Sequence, residues 1–167
     1  MRCLLLAFCI SIACISASRF GRHLEGSVAT PMARQSDSDG QVRSIVEERF
    51  RAANAKTVSD IAPIYSHDEK LIIFRQGEIF RGWDAYENYW KAALAGLPPG
   101  FELKFDDVRI RTTPRMAFAT ALWTTTYPDK SSQQISTKGL ITLVLIYNPS
   151  GWHIVHEHIS ANSPADK

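Results

Sequence analysis

From Leu140 to Ile146 the chain reads Leu-Ile-Thr-Leu-Val-Leu-Ile, a nearly unbroken apolar run. As a β-strand such a run is apolar on both faces, and both faces need cover. The domain's own helices supply one cover, and a partner subunit is a candidate for the second. The segments around it also read as strands. Met116 to Tyr127 alternates, with Phe118, Thr120, Leu122 and Thr124 on one face and Ala117, Ala119, Ala121 and Trp123 on the other. Phe101, Leu103 and Phe105 keep period two until Asp106-Asp107 shifts the parity to Val108 and Ile110, the mark of a bulge. Asn148-Pro149-Ser150-Gly151 is a turn, and Trp152 to Ser160 is the closing strand.

The residues before Phe101 carry a different period. Asp39 is placed to cap a helix whose apolar positions Val42, Ile45, Val46, Phe50 and Ala53 form one stripe. A short second helix follows through Val58, Ile61, Ile64 and Tyr65, cut down by Pro63. Leu71–Phe74 and Ile79–Phe80 flank Arg75-Gln76-Gly77-Glu78, a strand-turn-strand pattern. A third helix starts at Asp84, repeats Tyr86, Tyr89, Trp90, Ala93 and Leu97, and stops at Pro98-Pro99-Gly100. Helices first and long strands after make a single α+β domain.

The N-terminus follows its own logic. Met1-Arg2, an apolar stretch from Leu4 to Ile15 and small residues at Ser16-Ala17-Ser18 compose a secretory signal peptide over residues 1–18. The apolar run falls short of the roughly 20 residues that span a bilayer, so no membrane association is expected beyond this segment. A lipoprotein modified at Cys14 is the minor alternative. Residues 19–38 read as a flexible leader, 39–161 as the folded domain and 162–167 as a loose tail. The expected location is therefore secreted or periplasmic. The three cysteines, Cys3, Cys9 and Cys14, all lie in the signal segment, so the processed chain would lack disulfides and thiolate ligands. With 19 basic and 17 acidic residues, a net charge of +2 gives no basis for binding nucleic acid.

Three local signatures stand in order: Tyr65-Ser66-His67-Asp68, then Phe80-Arg81-Gly82-Trp83-Asp84, then Gly151-Trp152-His153-Ile154-Val155-His156-Glu157-His158-Ile159-Ser160. Together they resemble SnoaL-like proteins over residues 40–161. The last is also similar to the closing strand of the association domain of calcium/calmodulin-dependent kinases. Both belong to the nuclear transport factor 2-like, or ketosteroid-isomerase-like, superfamily. The resemblance implies a curved antiparallel sheet wrapped around three N-terminal helices as a cone, usually a homodimer through the sheet. It also implies a pocket at the open end, used by different members for unrelated purposes. The ketosteroid isomerases carry a base on the strand after the Tyr-x-x-Asp turn; Leu71-Ile72-Ile73-Phe74 offers no ionisable side chain there.

The candidate catalytic residues are His156, His158 and Asp68. The two histidines stand two apart on a strand and share a face, while His153, Val155 and Glu157 are expected on the other. Such a pair suits a general base in an isomerase, cyclase, hydratase or lyase, or hydrogen bonds that only hold the strand. No third ligand accompanies them, so no metal site is assigned, and no cofactor is expected. Asp68 equally suits a turn. Tyr65, Trp83, Tyr86, Trp90 and Trp123 are the candidate ligand-binding residues for a small, mainly apolar molecule, and the same aromatic spacing also suits a core. Phosphate-binding glycine loops, serine-hydrolase elbows and zinc-protease motifs are absent from the sequence. Three readings remain open: a binding cone, an enzyme of the same fold and an assembly module.

Overall fold

A computed structural model describes residues 31–162, with side chains from residue 37 onward. The signal segment, its cysteines, the leader up to residue 30 and residues 163–167 lie outside the described residues. Helix α1 spans Pro31–Ala55, beginning eight residues before the expected cap at Asp39. Proline is well placed at the first helical position, where its missing N–H would be unpaired in any case. Asp39 instead accepts a hydrogen bond from Thr112 Oγ1 at 2.5 Å, which ties the helix to the sheet. Lys56, in the left-handed region at φ 58°, closes α1. Helix α2 (Val58–Ile61) runs into a single 3-10 turn at Ala62–Ile64, so Pro63 shortens this element as expected.

Strands β1 (Ile72–Arg75) and β2 (Glu78–Arg81) form the expected hairpin. Its two turn residues, Gln76 and Gly77, both have positive φ, as a two-residue primed turn requires. Helix α3 (Trp83–Ala95) buries Trp83, Tyr86, Trp90 and Leu94. Four long strands follow: β3 (Glu102–Thr112), β4 (Met116–Pro128), β5 (Gln134–Asn148) and β6 (Gly151–Ala161).

The six strands make one curved, open sheet in the order β2-β1-β6-β5-β4-β3. All neighbours are antiparallel except β1 and β6, which run parallel. Parallel neighbours cannot share a hairpin. The chain between β1 and β6 accordingly holds β2, α3 and the other three long strands. The register of β3 against β4 shifts between Asp106 and Arg109, at the bulge the parity change implied.

The inner face carries Ala117, Ala119, Ala121, Trp123, Ile141, Leu143, Leu145, Trp152, Ile154 and Ile159, all buried with the apolar sides of α1 and α3. Among the described residues the other face of β4 and β5 has no such cover: Phe118, Leu122 and Leu140 are each about half exposed.

Candidate functional site

The face on which each residue of β6 points depends on a second bulge. Val144 pairs with His156 and Leu145 with Ile154, so Val155 is the extra residue on β6. Trp152 and Ile154 point inward before it, and Glu157 and Ile159 point inward after it. His153, expected opposite the His156–His158 face, is thereby turned to the outer face with them. Simple alternation across the strand carries no sign of this extra residue, which is why the sequence misplaced it.

Glu157 is fully buried at the centre of the inner face, between Ile73 of β1 and Leu143 of β5. Arg49 of α1 donates from Nε to Oε2 at 3.1 Å and from Nη2 to Oε1 at 2.9 Å. Tyr86 of α3 donates its hydroxyl to Oε1 at 2.6 Å, and Tyr65 donates to Oε2. Arg75, at the end of β1, brings Nη1 to 3.7 Å from Oε1. One carboxylate thus joins α1, the turn after α2, α3 and the sheet.

Burial alone would push the Glu157 carboxyl up, but the charge and hydrogen bonds of Arg49, with Arg75 and Tyr65 behind them, hold it below the usual carboxylate range. Burial and the neighbouring carboxylate push the Tyr65 and Tyr86 hydroxyls well up, so both remain neutral donors. Burial opposes the charge on Arg49, and Glu157 more than restores it. A carboxylate with all its acceptor positions filled is poorly suited to abstract a proton. The cluster is a strut that fixes Arg49 and the two tyrosines.

Beside it, between α1, α3 and the inner face of β3, β4 and β5, lies a cavity of about 270 Å³. Trp90, Leu97, Phe105, Trp123 and Ile141 give it an apolar wall, and Arg49, Arg75 and Gln76 give it a polar end. Arg49 stacks over the Trp90 ring at 5.0 Å and Arg75 over the Tyr89 ring at 5.1 Å. Gly139 makes room for one wall. Its missing Cβ would lie 2.4 Å from the Trp123 ring, which crosses the strand there and donates Nε1–H to the Leu140 carbonyl at 3.2 Å.

Of the expected ligand-binding residues, Trp90 and Trp123 line this cavity. Tyr65 and Tyr86 stand behind its wall on Glu157, and Trp83 is buried between Tyr65 and a stacked His67. The expected catalytic residues lie elsewhere. His156 and His158 are on the outer face around Phe74, at ring distances of 5.1 and 6.0 Å. His156 Nδ1–H donates to the Ile72 carbonyl at 2.7 Å, which fixes its ring. Asp68 Oδ1 accepts from the Lys70 N–H at 2.7 Å, a turn bond, and borders a surface depression that includes His156. His156 and Asp68 thus share a depression outside the cone, and neither histidine borders the cavity.

Sequence reasoning gave Arg49, Arg75, Tyr89 and Glu157 no role in a site. A signal for Arg49 was present. It falls in the α1 stripe of Val42, Val46, Phe50 and Ala53, where a charge must have a buried partner. Among the described residues no three of His, Cys, Asp and Glu gather as a metal site. No described helix is long and apolar enough to cross a membrane.

Solved structures share this architecture. A nuclear transport factor 2-like superfamily protein from Salmonella enterica is 19% identical, with a TM-score of 0.69 over 78% of this chain and 94% of that one. An uncharacterised cystatin-like protein from Caulobacter vibrioides is also 19% identical, with a TM-score of 0.65 over 77% and 92%. The association domain of calcium/calmodulin-dependent kinase II from C. elegans is 13% identical, with a TM-score of 0.64 over 76% and 98%. No curated protein matches the chain. The model of the SnoaL-like domain family matches residues 42–165, from the first buried turn of α1 through the last strand, and the chain belongs to that family.

Proposed function

We propose that this domain binds a small, mainly apolar molecule inside its cone. The observation that carries the reading is the cavity of about 270 Å³, walled by aromatic and aliphatic side chains with its polar groups gathered at one end. That division of apolar wall and few polar groups is the usual build of a ligand site, and the volume lies just under the ~300–1,000 Å³ of drug-sized pockets. Binding is favoured over acid–base chemistry because Glu157, the carboxylate beside the cavity among the described residues, is saturated with donors.

Two further parts of the reading concern setting and assembly. Export is supported by the order of charge, apolar run and small residues over 1–18. Pairing of two copies through the outer sheet face is supported by the half-exposed Phe118, Leu122 and Leu140. The likeness to an association domain is consistent with it.

Native mass spectrometry of the gently purified protein tests the binding reading, with Ala93→Leu as control. Ala93 lines the cavity from α3, so the larger side chain occupies ligand space with little disturbance to the fold. An organic mass retained by the wild type and lost in the variant supports the proposal. A mass retained equally by both places the ligand elsewhere and overturns it.

A further inference from the structure

The charges at the polar end of the cavity do not balance. Each oxygen of Glu157 already accepts two hydrogen bonds, from Arg49 Nε and Tyr65 on Oε2 and from Arg49 Nη2 and Tyr86 on Oε1. A carboxylate has about four acceptor positions, so Glu157 is full. Arg75 stands outside that set, with Nη1 at 3.7 Å, beyond hydrogen-bond reach. Its Nε and Nη1 are buried and meet no acceptor among the described residues. The indole Nε1–H of Trp90 is buried and unpaired in the same way. Both residues line the cavity, and among the described residues no aspartate or glutamate lines it with them.

Two arginines against one glutamate leave one positive charge at this end of the cavity, on an Arg75 side chain that is 21% exposed but has its Nε and Nη1 buried. Arginine does not deprotonate in proteins, so the charge is not removed by a pKa shift, as it would be for a buried lysine. Buried donors without acceptors are costly, and the cost is recovered when an anion supplies the acceptors. Arg75 is also held in place: its guanidinium lies on the Tyr89 ring, and the primed turn at Gln76-Gly77 fixes the end of its strand.

We infer that the ligand of this cavity is an organic carboxylate, its acid group on Arg75 at the polar end and its apolar body among Leu97, Phe105, Trp123 and Ile141. The inference rests on the cavity being the binding site and goes further in naming the ligand's chemical class. A planar carboxylate suits the planar guanidinium. The cavity volume limits the apolar part to one ring or a short chain.

The test is a titration of the purified protein with 3-phenylpropanoate and with octanoate, each beside its primary amide. Calorimetry and tryptophan fluorescence report binding, the latter because Trp90 and Trp123 line the cavity. The acids are expected to bind at least about tenfold more tightly than the amides, as a charge-assisted hydrogen bond implies. Arg75→Met should bring each acid to its amide's affinity without weakening the amide, and Arg75→Lys should restore part of the preference. Circular dichroism melts of both variants confirm that the fold is retained. Equal binding of acid and amide by the wild type, or an acid preference that survives Arg75→Met, overturns the carboxylate inference and leaves the cavity reading standing. No binding by any of the four probes at millimolar concentration sinks both readings together.

Discussion

Replacing Glu157 with glutamine removes one negative charge and almost no volume, and so isolates the charge that holds the cone together. In the wild type Arg49 and Glu157 are 2% and 0% exposed, leaving no solvent to screen the loss. Glutamine offers one amide oxygen to four donors and turns an NH2 group toward them. Arg49 is then a buried cation without its counter-ion. Breaking a buried pair from one side costs about 3–5 kcal/mol, a large share of the roughly 5–15 kcal/mol by which domains are stable. At roughly 2–4 °C per kcal/mol for a chain of this size, the thermal midpoint should drop by about 6–20 °C. Urea unfolding followed by tryptophan fluorescence measures the loss directly. The double variant Arg49→Met/Glu157→Gln removes both charges and should be more stable than the sum of the single losses implies, by about 2 kcal/mol or more. A Glu157→Gln variant within about 1 kcal/mol of the wild type, or strictly additive losses, would refute the account of the cluster as a charge-paired strut.

Three other outcomes follow from the same structure. The folded-state Glu157 carboxyl lies below the usual range, so its stabilising contribution is complete above the unfolded-state value and is lost as pH falls through the folded one. Thermal midpoints should hold from pH 7 to about 5 and then fall, less steeply in Glu157→Gln; parallel acid slopes in both proteins would contradict this. Gly139→Ala should cost about 1–3 kcal/mol in urea unfolding, because the added Cβ meets the Ser160 carbonyl oxygen at 2.0 Å and the Trp123 ring at 2.4 Å. An unchanged urea midpoint would show that β5 and β6 yield freely at that point. Leu140→Asp, on the outer face at 54% exposure, should leave folding intact and reduce a dimer to monomers in sedimentation velocity. A mass unaffected by the change removes the β5 outer face from any interface.

Much of the architecture could be read from local patterns, because those patterns report which faces are buried. The period of 3.6 at Tyr86, Trp90 and Ala93 and the period of two along Met116–Tyr127 both correspond to observed elements, although Leu97, counted in the same stripe, lies past the end of α3 at Ala95. Asp106-Asp107 marked the β3 bulge by breaking parity within one strand. The β6 bulge at Val155 left no comparable trace, since valine suits either face and the alternation around it reads continuously. That one residue decided whether His153 sits with His156 or across from it. It also left the inward-facing Glu157 looking like the unimportant member of the closing strand.

The sequence by itself determined the element order and the family pattern from Tyr65 to Ser160, because each depends on neighbours along the chain. Only the tertiary structure decided that Arg49, Tyr65, Tyr86 and Glu157 meet, since Arg49 and Glu157 are separated by 108 positions and join through a parallel-containing sheet. It also decided that Arg75 is left with two donors unpaired among the described residues. Pairing is a property of what fills the space around a side chain, and spacing along the chain carries no record of it.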